Sequence, residues 1–122
     1  MIMDDINTIC YNDFGIAFQW KRCAAKDFNK IQLVFKNTGL FLSQKELIQF
    51  SKNIELALNK ACSHANNTEK NPSELFLLEA PNPQVSFAMN HIELWGIQDL
   101  TKKTLFLLGL DKFLVKQKVR YS

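Results

Sequence analysis

Two stretches of this chain place apolar residues at helical spacing behind matching caps. In the first, Leu47, Phe50, Ile54, Ala57, Leu58 and Ala61 recur along one stripe. Ser43-Gln44-Lys45-Glu46 precedes them as a capping box, in which the serine hydroxyl and the glutamate each satisfy the other's backbone amide. The pattern predicts a helix from Ser43 to about Ser63. In the second stretch Asn90-His91-Ile92-Glu93 has the same cap logic, followed by Leu94, Ile97, Thr101, Thr104, Leu105 and Leu108. Gly109 stands where a left-handed C-terminal cap residue is expected.

A hairpin pattern precedes each helix. Ile31 to Phe35 is β-branched and aromatic, Lys36-Asn37-Thr38-Gly39 reads as a turn, and Leu40-Phe41-Leu42 returns. In the second unit Leu75 to Glu79 reads as a strand, Pro81-Asn82-Pro83 as a rigid turn, and Val85 to Met89 alternates. The polar run from His64 to Ser73 reads as a connecting loop. Two N-terminal strands are expected at about Ile6 to Tyr11 and Phe14 to Arg22. In the latter, Phe14, Ile16, Phe18 and Trp20 alternate as one half-buried face. At the far end Val115, Gln117, Val119 and Tyr121 alternate with Lys116, Lys118 and Arg120, a strand pattern with one basic face.

The two capped helices align at a constant offset of 47, Ser43 with Asn90, Glu46 with Glu93 and Leu58 with Leu105. This suggests an internal ββα pseudo-repeat. The competing explanation is that any two capped amphipathic helices can be laid over one another. The expected class is α+β: an antiparallel sheet with two helices on one face, built from two ββα units. Two N-terminal strands precede the units and a C-terminal strand follows them. The 122 residues suit one domain, with unit one at about 1–64, a loop at 65–73 and unit two at about 74–122.

Composition adds boundaries to this picture. Apolar residues make up 47% of the chain and ten residues are Phe, enough for a core without metals or disulfides. Three cysteines with no CxxC pair point to reduced thiols and a cytoplasmic setting. No apolar run reaches the ~18 residues that span a bilayer, so no membrane partner is expected. Met1 to Asp5 has two acids and no basic region, unlike a secretory signal. The net charge is +3, and residues 110–122 account for all of it, because the rest of the chain balances.

Candidate chemistry is sparse. Cys10, Cys23, Cys62 and His64 are the residue types of a zinc site, but their spacing fits no familiar pattern. Cys23 follows Lys21 and Arg22, whose charges favour a thiolate, yet a nucleophile needs a placed base and only His64 and His91 exist. His91 falls in a first helical turn, where the dipole disfavours its charged form. There is no glycine-rich phosphate loop, HExxH or GxSxG. No catalytic residue, cofactor or metal is therefore assigned.

Two surfaces remain. Lys116, Lys118 and Arg120, helped by Lys21 and Arg22, form a candidate phosphate-following surface, with Trp20, Phe41 or Tyr121 available to stack bases. Edge-strand lysines also serve to block sheet-to-sheet aggregation, which is the competing reading. The second helix is apolar on nearly every side in its C-terminal half. Trp95, Leu100, Phe106 and Leu107, with Phe113 and Leu114 beyond it, are candidates for a homodimer surface. The competing reading is that Phe113 and Leu114 fold back to cover it.

On IQLVFKNTGLFLSQKELIQF and the later hairpin-helix ending in LFLLGL, the chain resembles a small family of uncharacterised proteins from Bacteroidetes-type bacteria. That resemblance implies a bacterial protein and no particular activity. The first half, four strands then a helix, is similar in topology to PUR-type and whirly-type single-strand nucleic-acid binders, from which the second half departs. The expectation is a non-catalytic interaction or regulatory domain, acting as a homodimer with a protein or small-ligand partner. The alternative is a module for single-stranded nucleic acid.

Overall fold

The computed structural model describes residues 5–67 and 74–111, with backbone alone for 64–67. The elements run β1 (Ile6–Tyr11), β2 (Gly15–Trp20), a 3-10 turn (Ala25–Asp27), β3 (Ile31–Phe35), β4 (Thr38–Leu42), α1 (Gln44–Asn67), β5 (Phe76–Glu79), β6 (Ser86–Met89) and α2 (His91–Leu107). The fold is α+β. β1 to β4 form one antiparallel sheet in chain order, while β5 and β6 pair only with each other, as a second, two-stranded sheet. A single continuous sheet was expected. The two ββα units instead contribute separate sheets to one core. The predicted C-terminal strand lies outside the described residues.

Both capping boxes form. Glu46 N–H donates to Ser43 Oγ at 3.1 Å and Ser43 N–H to Glu46 Oε1 at 2.9 Å. Glu93 N–H donates to Asn90 Oδ1 at 2.8 Å and Asn90 N–H to Glu93 Oε1 at 3.0 Å. Gly109 takes φ +73°, the left-handed cap the pattern required. α1 continues to Asn67, past the expected Ser63, because nothing in His64-Ala65-Asn66 forbids another helical turn. The β3–β4 connection is tighter than expected: Phe35 pairs with Thr38, leaving only Lys36 and Asn37 in the turn.

One cluster of buried residues draws on both units. Ala17, Leu33 and Phe35 of the large sheet meet Leu47, Phe50 and Ile54 of α1, Leu94 and Ile97 of α2, and Leu78 and Met89 of the hairpin. α2 lies against β1 and β2, while α1 packs on α2, β4 and β5. A two-stranded sheet is marginal alone. Here Phe87 closes it onto the rest by edge contacts with Phe35 and Phe50.

The β1–β2 turn is clamped to α2. Asn12 Oδ1 accepts from Phe14 N–H and Gly15 N–H, while its Nδ2 donates to Gly96 O at 3.0 Å and Asp99 Oδ2 at 2.9 Å. Gly96 lets the helix approach, since a Cβ there would meet Phe14 Cβ at 2.9 Å. Phe14 therefore sits on the helix side, stacked on Phe35 at 5.6 Å, and not with Ile16, Phe18 and Trp20 as alternation predicted. It belongs to the turn, where the period of two does not hold.

Candidate functional site

Antiparallel register sorts the large sheet into two faces. Ala17 opposes Leu33, and Leu33 opposes Leu40, on the face that meets the helices. Ile6 opposes Trp20, Phe18 opposes Gln32, and Gln32 opposes Phe41, on the face turned away. Trp20 and Phe41 thus share the face opposite α1 and α2, at the end where β2 stops and β3 starts. Trp20 rests edge-on against Phe18 with centroids 5.2 Å apart, and its Nε1–H donates to Gln32 Oε1 at 3.3 Å. These contacts hold the ring while leaving 36% of the residue exposed; Phe41 is 38% exposed.

Residues 21–30 connect β2 to β3 across this end. Asp27 N–H donates to Ala24 O and Phe28 N–H to Ala25 O, closing the 3-10 turn. Asn29 then adopts φ 72°, a left-handed conformation that asparagine tolerates better than most residues. The reversal leaves Phe28 74% exposed. Lys30 returns over the Phe41 ring, its Nζ 5.2 Å from the centroid, and also pairs with Asp27 Oδ1 at 3.1 Å.

A cleft of about 220 Å³ opens between these parts, with Trp20, Lys21, Phe28, Lys30 and Phe41 in its wall. A neighbouring cleft of about 290 Å³ shares Phe28, Asn29 and Lys30 and adds Lys26, Ser43 and Lys45. The two walls together carry Lys21, Lys26, Lys30 and Lys45 against the single carboxylate of Asp27. Flat aromatic faces beside excess positive charge suit a ligand with planar rings and anionic links.

Of the sequence candidates, Trp20, Lys21 and Phe41 come together here, whereas Arg22 is exposed and does not line the cleft. Lys116, Lys118, Arg120 and Tyr121 lie outside the described residues. Phe28 and Lys30 were not singled out from sequence. The available signal was an aromatic set between Asp27 and Asn29 inside a polar turn.

The α2 candidates divide. Trp95, Phe106 and Leu107 are exposed, but Leu100 is fully buried and is withdrawn from any surface. Its burial follows from α2 being covered on two sides, by β1–β2 and by α1, which widens the buried arc beyond one stripe. Phe113 and Leu114 lie outside the described residues. Trp95 and Phe106 are separated by ~16 Å along the axis at 1.5 Å per residue, and Asp99, Lys102 and Lys103 stand exposed between them.

Among the described residues no three His, Cys, Asp or Glu side chains converge. Cys10 is turned onto α2, its Sγ 3.1 Å from Thr104 Oγ1, while Cys23 and Cys62 are exposed. His91 stacks on Trp95 at 6.0 Å. The displaced carboxylates have structural causes. A side-chain hydrogen bond from Lys36, above all, holds Glu93 below its ordinary value, and one from Asn12 does the same for Asp99. Comparison with protein-family models, curated proteins and solved structures found no match to the chain.

Proposed function

We propose that this protein is a non-catalytic binding module whose ligand is single-stranded nucleic acid, held in the cleft between Trp20, Phe28 and Phe41. The observation that carries this reading is the convergence of three exposed aromatic residues and four lysines at one end of the sheet. Bases stack on aromatic faces without regard to sequence, and lysines exchange counterions for phosphates. The lone Asp27 carboxylate is already engaged by Lys30, which limits its repulsion of phosphate.

The test is fluorescence anisotropy with labelled oligothymidylate and oligouridylate across a salt series. Affinity should fall as salt rises, and Trp20→Ala should weaken binding roughly 5- to 150-fold, the range of one lost base stack. Lys21→Ala should flatten the salt slope by about one unit, while Lys102→Ala on α2 should leave it unchanged. No binding at low salt, or binding indifferent to Trp20, would overturn the reading.

A homodimer is the second reading, favoured by the exposed Ile92, Trp95, Phe106 and Leu107 on α2. Under it, light scattering gives twice the monomer mass at micromolar concentration, and Trp95→Lys with Phe106→Lys restores the monomer. A monomeric mass for the unaltered chain rules it out. The unpaired Cys10, Cys23 and Cys62 support a reducing, cytoplasmic setting.

A further inference from the structure

The two clefts beside the β2–β3 connection are not independent. Phe28, Asn29 and Lys30 belong to the walls of both. Each is below the ~300–1,000 Å³ typical of a self-contained small-molecule pocket. Small adjoining recesses with one shared aromatic wall suit a polymer that presents one flat unit to each. The first recess offers Trp20 and Phe41, and the second offers Lys26 and Lys45.

Lys45 supplies a second observation. It stands in the first turn of α1, where the helix dipole disfavours positive charge. It is exposed and makes no ion pair with Glu46, whose carboxylate completes the capping box. A lysine placed against the dipole lowers helix stability, and this one stands in the wall of the second cleft beside Lys26 and Lys30.

We propose that the two clefts are consecutive nucleotide subsites. One base lies against Trp20 and Phe41, its neighbour occupies the recess beside Lys26 and Lys45, and Phe28 stands between them. This rests on the single-strand reading above and adds to it a minimal ligand of two nucleotides.

The experiment uses the full chain carrying Trp95→Phe, which leaves Trp20 as the sole tryptophan. Quenching of Trp20 is followed with thymidine 5′-monophosphate, the 5′-phosphorylated dinucleotide and a tetranucleotide, with a uridine series to separate RNA from DNA. The dinucleotide should bind at least tenfold more tightly than the mononucleotide. Lys45→Ala should remove most of that gain and leave the mononucleotide unchanged, whereas Phe28→Ala, in the wall of both clefts, should weaken both ligands. Lys45→Glu should abolish the gain while raising the thermal midpoint, an outcome that a purely structural role for Lys45 does not produce. Equal affinity for one and two nucleotides, or an equal loss for both with Lys45→Ala, overturns the two-subsite inference and leaves the single-strand reading standing. Absence of quenching by every oligonucleotide at low salt overturns both.

Discussion

Gly96→Ala tests how α2 is seated on the β1–β2 turn. In an isolated helix this change is favourable by about 1 kcal/mol, because glycine is the poorer helix former. Here the added Cβ would lie 2.9 Å from Phe14 Cβ and 3.0 Å from its Cγ, well inside the ~3.5–4.0 Å of a relaxed carbon contact. Phe14 Cβ is fixed to the backbone of the turn, and that turn is tied to α2 through Asn12, so neither partner can swing away. Overpacking of this kind costs about 1–3 kcal/mol. Set against the propensity gain, the net effect is a loss of about 1 kcal/mol. Urea denaturation followed by circular dichroism should show the midpoint falling by about 0.5–1 M, given slopes of ~1–2 kcal/mol/M for small proteins. In a Phe14→Gly background every obstructing atom is gone, and Gly96→Ala should then stabilise by about 1 kcal/mol, giving a coupling of about 2 kcal/mol. A rise in midpoint from Gly96→Ala in the unaltered chain, or the same effect in both backgrounds, would refute the close approach.

Asn12→Ala removes two donations to α2 and two acceptances from its own turn, and should destabilise by about 2 kcal/mol in the same assay. Ser43→Ala and Asn90→Ala should each cost about 1 kcal/mol, since each removes the acceptor of a formed capping box. Glu93 and Asp99 are both held below their ordinary values, so the folded state favours their ionised forms. Their contribution is fully present above the ordinary carboxylate range and is lost as pH falls through the depressed folded values. Lys36→Met should bring the Glu93 titration, read by carbon-detected NMR, back toward its ordinary value and flatten the acid limb of stability.

Most of the secondary structure was legible from local chemistry. Ser43-x-x-Glu46 and Asn90-x-x-Glu93 announce helix starts because the cap bonds join residues three apart, and Gly109 announces an end because few other residues accept its backbone angles. Alternation in Ile31 to Phe35 marked a strand with one buried face, which register then confirmed. Local pattern failed where a neighbour decides. Leu100 lies off the stripe of α2 yet is buried, because α1 and the sheet both cover that helix. Phe14 continues the alternation of β2 on paper, but the Asn12 turn carries it to the opposite side.

By itself, then, the chain determined the helices, their caps and the hairpins, since each depends on contacts within a few residues. Which strands joined into one sheet, and which formed a second, was settled only by long-range packing. The aromatic cleft was settled the same way. Trp20, Phe28, Lys30 and Phe41 come from β2, the end of the 3-10 turn, the entry to β3 and β4, and no spacing along the chain relates them. Antiparallel register puts Trp20 and Phe41 on one face, and the reversal at Asn29 brings Phe28 and Lys30 beside them. Those pairings depend on closing the sheet, a non-local event that a residue pattern of period two or 3.6 does not encode.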